Sequence, residues 1–391
     1  MLTAQQAVAS ARPSPAPLER AATRGTVFDD RNANGARDAG EPGVAGVVVS
    51  NQDEVVRTDA LGAYALGASG FGAVFVSLPR GYGAVGPFWR RADASRPVDF
   101  ALALRTEPSP FVFALASDTH ISAATVGRTR RLRAIVDSAA PAFALITGDL
   151  VRDALRVGEA EATGYYRLFA EETGAFRTPT FTVPGNHENF GIERDQSHVT
   201  ESHPLYGRAM YRAFRGPDYY SFNVAGIHFV GLNSVDISDM WYYGHVDSVQ
   251  VAWLKRDIAM VPAGMPVVTF NHIPFYSVSE QLHGINEAPP APTLITIGGK
   301  PQFRHTVSNA AGVFAALGGH PWAIALAGHV HYREQIALDL GGRLVRFHQS
   351  AATVANSGAG PFVFPSGVTF YTITNGVVDD GRFVPFEPSP P

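Results

Sequence analysis

Short apolar runs separated by glycine and aspartate occupy the chain from about residue 25 to residue 104. The runs are rich in β-branched and aromatic residues, and turn-forming residues lie between them. This spacing is typical of the short strands of a small β-sandwich. The predicted strands are Thr26–Phe28, Val47–Ser50, Glu54–Thr58, Tyr64–Leu66, Val74–Leu78 and Val98–Leu102.

After the proline-containing segment 106–110 the pattern changes, and apolar strands alternate with stretches of helical length. The alternation predicts βαβ units in one α/β domain of about 270 residues, with more strands toward the C terminus. Residues 274–308 carry prolines and glycines with little periodicity, which predicts a lid or binding loop. The predicted strands are Phe111–Ala116, Phe143–Thr147, Thr180–Val183, Tyr219–Val224, Ile227–Leu232, Pro266–Asn271 and Ala323–Ala327, and the predicted helices are Thr125–Ser138, Glu159–Glu172, Val246–Met260 and Ser308–Leu317.

The pattern divides the chain into three segments. Residues 1–24 carry prolines without apolar periodicity, which predicts a disordered tail. The stretch Ala9-Ser10-Ala11 resembles the site at which secretory signal peptides are cut, so a leader remnant is an equally good interpretation. A leader favours a periplasmic or secreted protein and leaves a cytoplasmic one open. Residues 25–105 are the predicted β-sandwich module, and residues 106–391 are the predicted α/β domain.

Composition narrows the classes of function. With 46% hydrophobic and 17% charged residues, the chain is expected to fold as a packed globular protein. The 31 basic and 35 acidic residues give a net charge of −4 without a basic run, which argues against nucleic acid as a partner. No apolar run reaches the length of a membrane span. The count of 0 cysteines leaves any metal site to His, Asp, Glu and Asn. Oligomeric state does not follow from any of these features.

Potential metal ligands gather in five short motifs, each at or just after the end of a predicted strand. Loops at the carboxyl ends of strands in an α/β sheet converge on one crevice, so these side chains are expected to meet. In an extended Asp-x-His or His-x-His, residues i and i+2 project to the same side. Taken singly, Asp118 is better explained as a helix cap, and Asp149 and Asn186 as turn residues, but this does not explain why the histidines gather at strand ends as well. The motifs are Asp118-Thr-His120, Gly148-Asp149, Gly185-Asn186-His187-Glu188, Asn271-His272 and Gly328-His329-Val-His331.

In this order the five motifs resemble those of the calcineurin-like metallophosphoesterase superfamily, over roughly residues 110–350. The resemblance implies a two-sheet αββα sandwich, preceded here by the small all-β module. It also implies a binuclear centre of two divalent transition-metal ions (Mn, Fe or Zn) bridged by Asp149. The first ion would be held by Asp118, His120 and His331, and the second by Asn186, His272 and His329.

The same resemblance implies that phosphate esters are hydrolysed by a hydroxide held between the two ions, without a covalent enzyme intermediate. Two carboxylates against two divalent ions leave the cluster positive, which suits a phosphate dianion. By the resemblance, His187 protonates the leaving oxygen or stabilises the charge of the transition state. Glu188 either orients this imidazole or forms a surface salt bridge.

Departures from known branches narrow the substrate class. Purple acid phosphatases carry a metal-binding tyrosine three residues after the bridging aspartate, where this chain has Arg152. The arginine-bearing signature of calcineurin-type protein phosphatases is missing as well. Residues 220–254 resemble a bacterial branch that mixes monoesterases and diesterases. The leading hypothesis is a small-molecule phosphomonoesterase. The alternatives are a phosphodiesterase of the cyclic-nucleotide, glycerophosphodiester or nucleotide-sugar type, and a non-catalytic, calcium-stabilised surface binding protein.

Contacts with a small phosphorylated substrate are expected from three loops of the α/β domain. Two histidines in these loops, His245 and His283, are candidate substrate contacts. The aromatic run Trp241–Tyr243 either stacks on a substrate ring or, as we favour, packs against a neighbouring loop. The loops are Glu188–Pro204, Asp236–His245 and Tyr276–His305.

A second metal signal lies in the N-terminal module. Residues 30–41 fit the EF-hand loop template, in which oxygen ligands at alternate positions surround one hard cation. Gly35 allows the sharp turn that the loop needs. Flanking helices are not predicted, and the surroundings resemble calcium-binding β-sandwich modules of bacterial surface proteins. We favour a calcium site over a solvated turn, with ligands Asp30, Asn32, Asn34, Asp38 and Glu41.

Overall fold

The computed structural model describes residues 14–108, 110–289 and 291–387. The start of the predicted tail, with Ala9-Ser10-Ala11, lies outside these ranges. The helices are α1 Val126–Ala139, α2 Glu159–Gly174, α3 Arg194–Ser197, α4 Arg208–Arg215, α5 Ser248–Ile258, α6 Ser279–His283 and α7 Ala310–Ala316, with a 3-10 turn at Asn186–Glu188. The strands are β1 Thr23–Asp29, β2 Val48–Ser50, β3 Val55–Arg57, β4 Ala63–Leu66, β5 Ala73–Ser77, β6 Tyr82–Ala84, β7 Trp89–Arg91, β8 Phe100–Leu104, β9 Phe111–Ala116, β10 Phe143–Thr147, β11 Thr180–Val183, β12 Tyr220–Val224, β13 Ile227–Gly231, β14 Val235–Ser238, β15 Trp241–Gly244, β16 Val267–Phe270, β17 Leu294–Ile297, β18 Lys300–Phe303, β19 Trp322–Ala327, β20 Glu334–Asp339, β21 Leu344–Gln349, β22 Ser357–Ala359, β23 Phe362–Phe364, β24 Gly367–Thr374, β25 Val377–Val378 and β26 Arg382–Pro385.

The N-terminal module consists of two four-stranded sheets, with strand orders β4-β1-β8-β6 and β3-β2-β5-β7. Apolar side chains from both sheets face one core, in which Val27, Val49, Val74 and Phe100 are buried. A buried inner face is what alternating apolar residues predict for such strands. The predicted all-β module is therefore confirmed. Its strands β6 and β7 escaped prediction because each has three residues and neither contains a β-branched residue.

Two six-stranded sheets form the centre of the domain that follows. The first has the order β11-β10-β9-β24-β25, with β26 beside β24, and the second has the order β12-β13-β16-β19-β21-β20. Strands β9 to β11 are parallel in the first sheet, and β13, β16, β19 and β21 are parallel in the second. The inner faces meet through aromatic rings. Phe113 on β9 lies edge-on against Phe229 on β13, with ring centroids 5.5 Å apart.

Helices cover the outer faces of the two sheets. Leu132 and Val136 of α1 are buried in one cluster with Ala114 of the first sheet. Helices α5 and α7 pack on each other and add Leu254 and Val313 to the cluster that contains the second sheet. The αββα arrangement implied by the sequence is therefore confirmed. Within the described part of the chain, no helix combines the length and the apolar character needed to cross a membrane.

Most predicted elements of this domain are present with ends shifted by two residues or fewer, and β9, β10 and β11 have the predicted bounds. The main difference is within residues 274–308, where helix α6 and the hairpin β17–β18 replace an irregular loop. Gly298 and Gly299 form the hairpin turn with φ values of 57° and 76°. Such a Gly-Gly turn is a hairpin signal, which the surrounding prolines obscured.

The N-terminal module packs against the α/β domain through buried contacts. Phe75 on β5 lies edge-on against Trp253 of α5, with ring centroids 6.4 Å apart. The side-chain amide of Gln52 donates to the carboxylate of Asp218 (3.0 Å) and to the carbonyl of Tyr219 (3.1 Å). The two parts therefore share a buried, hydrogen-bonded interface.

Part of the predicted tail runs along the module. Arg91 donates to the carbonyls of Ala16 and Pro17 at 3.0 and 3.1 Å. Strand β1 begins at Thr23, before the predicted start of the module at residue 25. The division of the chain into segments 1–24, 25–105 and 106–391 stays a prediction.

Candidate metal centre

All seven predicted transition-metal ligands lie in loops at the carboxyl ends of strands. Both sheets contribute, because their parallel strands end at the same edge of the sandwich. The side chains therefore meet although they are far apart in sequence. The ligands are Asp118 and His120 after β9, Asp149 after β10, Asn186 after β11, His272 after β16, and His329 and His331 after β19.

Five of these residues have a left-handed backbone conformation, with φ values between 37° and 72°. Such values are rare for residues other than glycine, and they collect at functional sites, where the surrounding fold holds them in place. In this site, backbone hydrogen bonds between the loops hold these residues in place. The N–H of Asp118 donates to the Gly148 carbonyl (3.0 Å), and the N–H of His120 donates to the Asp149 carbonyl (2.9 Å). The five are Asp118, His120, Asp149, His329 and His331.

One group of donor atoms comes from Asp118, His120, Asp149 and His331, one atom each, all within 4.8 Å of one another. Nε2 of His331 lies 3.1 Å from Oδ1 of Asp118 and 3.2 Å from Nε2 of His120. Nε2 of His120 lies 3.6 Å from Oδ2 of Asp149. Two carboxylates and two imidazoles thus converge on one point.

A second group of donor atoms, also within 4.8 Å of one another, comes from Asp149, His272 and His329. The side chain of Asn186 contacts this group through His272. Nε2 of His272 lies 3.2 Å from Oδ1 of Asp149 and 3.1 Å from Oδ1 of Asn186. Nδ1 of His329 lies 3.1 Å from the same His272 nitrogen. Asp149 belongs to both groups, with Oδ2 toward the first and Oδ1 toward the second. The two groups contain the ligand sets that the resemblance implies.

The donor atoms lie close enough together to share cations. Oδ1 of Asp118 is buried, and although Nε2 of His331 is 3.1 Å away, this oxygen has no well-directed hydrogen bond among the described residues. Nδ1–H of His272 donates to the Thr147 carbonyl (2.8 Å), which leaves Nε2 as the nitrogen that faces Asp149 and Asn186 and can bind an ion once it has lost its proton. Imidazole nitrogens, carboxylates and an amide oxygen form a donor set that accepts several divalent transition metals. The residues present therefore fit two such ions.

Burial and mutual charge shift the ionisation of the cluster. Burial opposes the negative charge of Asp149, but His272 and His187 outweigh it and hold the pKa of Asp149 well below its usual range. Burial lowers the pKa of His120 to about 4, so this imidazole is neutral at neutral pH. Burial also opposes charge on His272, but Asp149 raises the pKa of His272 to about 9. Metal binding at His272 would therefore release a proton.

Glycines next to two ligands leave no room for a side chain. A Cβ at Gly185 would lie 2.2 Å from Oδ1 of Asp149. A Cβ at Gly328 would lie 1.8 Å from Oγ of Ser117 and 2.8 Å from Oδ2 of Asp118. All three distances are below a van der Waals contact. Close approach of the loops therefore explains why glycine stands at these two motif positions.

Glu188 supports the backbone of the centre and does not contact His187. Its side chain is buried, so the surface salt bridge offered by the sequence is wrong, and its carboxyl oxygens face backbone N–H groups rather than His187. Burial and the charge of Asp149 raise the pKa of Glu188 to about 8. Its two carboxyl oxygens accept hydrogen bonds of 2.6 to 2.9 Å from the backbone N–H groups of Leu150, Val151 and Gly185. Glu188 thereby joins two neighbouring ligand loops.

His187 lies beside the cluster without belonging to either donor group. Its ring centroid is 4.6 Å from that of His120, and its Nε2 is 3.9 Å from Oδ2 of Asp149. On the other side, its Nδ1 is 3.8 Å from Oδ1 of Asp153. This Nδ1 has no hydrogen bond among the described residues, and Asp153, which no sequence motif marks, is a carboxylate on that side of the ring.

Comparison with known proteins decides the family. A profile of calcineurin-like phosphoesterases matches residues 111–333, which include the seven candidate ligands and His187. The chain belongs to the calcineurin-like phosphoesterase family. It is therefore a metal-dependent phosphoester hydrolase. Among curated protein sequences, none matches this phosphoesterase with significance.

Several solved structures resemble the phosphoesterase weakly. A dimetal phosphatase from Danio rerio has 14% sequence identity and a TM-score of 0.43, over 70% of this chain and 96% of that one. GAP50, the anchor in the inner membrane complex of Plasmodium, has 14% identity and a TM-score of 0.43, over 71% of this chain and 85% of that one. PhoD has 13% identity and a TM-score of 0.46, over 93% of this chain and 86% of that one. The family assignment rests on the profile match alone.

The aromatic run of the phosphoesterase packs beside the centre. Tyr242 and Tyr243 are buried, and the guanidinium of Arg304 lies 4.1 Å from the ring centroid of Tyr242 and 5.2 Å from that of Trp241. These contacts agree with the packing interpretation. Nδ1 of His245 lies 3.0 Å from a carboxylate oxygen of Asp236. Substrate contacts through His245 and His283 stay predictions.

The predicted calcium loop of the phosphoesterase is closed by its own side chains. The backbone N–H of Asn34 donates to Asp30 (3.2 Å), and the side-chain amides of Asn32 and Asn34 donate to Oδ2 of Asp38 at 2.7 and 2.8 Å. Glu41 accepts the backbone N–H of Asp38 (3.0 Å). The five candidate ligands therefore lie in one compact loop, and calcium binding stays a prediction.

Proposed function

We propose that this phosphoesterase binds two divalent transition-metal ions, Mn, Fe or Zn, and hydrolyses a small phosphomonoester. The observation that carries the proposal is that Asp149 belongs to two groups of donor atoms. Within each group, the atoms lie within 4.8 Å of one another. A carboxylate has two oxygens with which it can span two cations. Besides Asp149, the first ion would be held by Asp118, His120 and His331, and the second by Asn186, His272 and His329.

The charge of the centre supports a monoester as the substrate. When bound, two metal ions polarise the phosphoryl group and lower the pKa of a water molecule between them. The carboxylates of Asp118 and Asp149 remove two of the four positive charges, and two remain. A hydroxide between the ions and the phosphate ester would together neutralise this excess, and a monoester dianion is attracted to the positive centre more strongly than a diester, which carries only one negative charge.

His187 is proposed to hold the proton for the leaving oxygen. Its position supports this role, because Nε2 faces the cluster and Nδ1 faces Asp153. The imidazole stays outside both donor groups, so it is free to exchange a proton with the substrate. General acid catalysis of this kind typically contributes about 10²- to 10⁴-fold in rate.

Paired aryl phosphate monoesters and diesters test the proposal. Protein stripped of metal and reconstituted with Mn, Zn or Fe is expected to regain hydrolysis as two ions bind, with the monoester preferred. Preference for the diester would favour the phosphodiesterase alternative. Two bound ions without turnover would favour a non-catalytic binding protein, and a chain that does not bind two ions would contradict the centre itself.

A further inference from the structure

His305 contacts His329 on the side away from the donor groups. Nδ1 of His305 lies 2.8 Å from Nε2 of His329. The two rings lie side by side, with centroids 5.0 Å apart and planes 28° apart, as an in-plane hydrogen bond requires. The other nitrogen of His329, Nδ1, lies 3.1 Å from Nε2 of His272. His329 thus has one nitrogen in the second donor group and the other against His305.

This geometry assigns the proton of His329. A neutral imidazole has one N–H and one lone pair. If Nδ1 of His329 offers its lone pair to an ion, Nε2 carries the proton and needs an acceptor, and Nδ1 of His305 is at hydrogen-bond distance. His272 is fixed in the same manner, with its N–H donated to the Thr147 carbonyl. Such partners of ligating histidines set the tautomer and the ring orientation.

The segment that carries His305 is fixed to strand β15, which lies next to the centre. Buried Arg304 donates to the carbonyl of Tyr242 (3.2 Å), and its guanidinium lies 4.1 Å from the centroid of that ring. The N–H of Ser308 donates to the carbonyl of Gly244 (2.8 Å) at the end of the same strand. Residues on both sides of His305 are therefore held, so the imidazole has a defined place beside the ligand.

We propose that His305 is a positioning residue for the second metal site. It accepts the Nε2 proton of His329 and keeps Nδ1 of that ring directed at the ion. The inference rests on the proposed binuclear centre. It also gives the loop Tyr276–His305 a role at the centre that its sequence does not reveal.

Metal affinity of His305 variants tests the proposal. Metal-free protein is titrated with Zn²⁺ against a competing chelator, so that the two ions have separate dissociation constants. We expect His305→Ala to raise one constant about 10- to 100-fold, as loss of such a partner does, and to leave the other unchanged. His305→Asn places an amide oxygen near the position of Nδ1 and should keep both constants close to those of the wild type. His198→Ala, which removes an exposed histidine of another loop, is the matched control.

A double-mutant cycle identifies the site that is weakened. In a His329→Ala background, His305→Ala should have no further effect, because its partner is gone. Wild-type constants in His305→Ala would overturn the proposal. Equal weakening of both ions with a lowered unfolding temperature would also overturn it, since that result indicates general loss of loop structure. The proposal would also be overturned if His305→Asn weakened metal binding as much as His305→Ala. A wild-type chain that does not bind two ions contradicts the proposed function, whereas unchanged affinity in the variants contradicts only the role of His305.

Discussion

The indole N–H of Trp253 donates a 3.1 Å hydrogen bond to the hydroxyl of Ser50. Trp253 belongs to α5 of the phosphoesterase domain and Ser50 to β2 of the N-terminal module, and both are buried. The hydroxyls of Ser77 and Ser221 pair at 2.9 Å across the same boundary. Because polar groups on both sides depend on each other, we expect the module to contribute to the stability of the phosphoesterase domain.

Asp218, which lies at this interface, provides a pH-dependent test of a buried ion pair. It is buried and accepts hydrogen bonds from Gln52 (3.0 Å) and Arg212 (2.9 and 3.0 Å). Burial alone would raise the pKa of Asp218, but Arg212 lowers it to about 2. Because this value lies below that of the unfolded chain, the stabilisation is present above about pH 4 and is lost as the pH falls from 4 to 2.

Asp218→Asn should therefore lower the free energy of unfolding by about 2 kcal/mol at pH 7. The difference from the wild type should shrink when both proteins are unfolded by urea near pH 3. A deficit of the same size at both pH values would show that the charge of Asp218 is not its cause.

Asp149→Asn should abolish hydrolysis with little change in folding. The amide keeps the shape of the side chain but removes the charge and one acceptor oxygen that two ions would share. We expect a fall in kcat of about 10³-fold or more, beyond the 10- to 100-fold typical of residues that act through a ligand. Assay at saturating metal, with circular dichroism as the folding check, measures both effects. Exposed Asp195→Asn is the control, and retained turnover in Asp149→Asn would contradict the bridging role.

His187→Gln should separate proton transfer from metal binding. The variant is expected to keep two ions, because His187 is in neither donor group. Its kcat should fall by about 10²-fold or more for an alkyl phosphate, whose leaving oxygen needs a proton, and by less for an aryl phosphate. Equal losses for both substrates would exclude His187 as the proton donor.

Gly328→Ala should disturb the first metal site through Asp118. The new methyl group would lie 1.8 Å from Oγ of Ser117 and 2.8 Å from Oδ2 of Asp118, so the Asp118 loop has to move. We expect weaker Zn²⁺ binding and lower activity. Gly312→Ala in α7, where a Cβ meets no atom within 4 Å, should leave both unchanged or add about 0.5 kcal/mol of stability. Identical behaviour of the two variants would contradict this packing argument.

The N-terminal loop should bind calcium with the modest affinity of extracellular modules. Millimolar Ca²⁺ is expected to raise the unfolding temperature of the wild type, and Glu41→Gln should remove most of this shift. Mg²⁺ at the same concentration is the control for ionic strength. An unchanged unfolding temperature in Ca²⁺ would identify residues 30–41 as a self-bonded turn.

The sequence predicted the ligands because each one lies at or just after the end of an apolar strand, where the pattern of apolar residues stops. Asp118 and His331 were therefore found without knowledge of the chain path. Asp153 and His305 were not, since neither belongs to a motif at the end of a predicted strand and each reaches its partner through the path of a loop. Glu188 was misinterpreted for a related reason. The sequence His-Glu is the same whether the glutamate carboxylate faces solvent or, as in this structure, three backbone N–H groups.

The fold was predictable to a similar degree. Alternating and continuous apolar runs identified most strands of both sheets. A strand buried on one face has alternating apolar residues, and a strand buried on both faces has a continuous apolar run. The hairpin β17–β18 and the module interface were missed. In the interface, Gln52 and Asp218 are polar residues that become buried only because distant segments supply their partners.

Each proposed ion takes donors from both sheets, and His120 and His331 in the first group are 211 positions apart. An ion at either position is thus a non-covalent crosslink between the two sheets, and it joins residues that are synthesised far apart in time. A nascent chain that ends before His329 contains five of the seven donors and neither complete set. Metal capture should accordingly wait until His331 has been synthesised, and the bound ions should hold the two sheets together at the edge where the ligand loops meet.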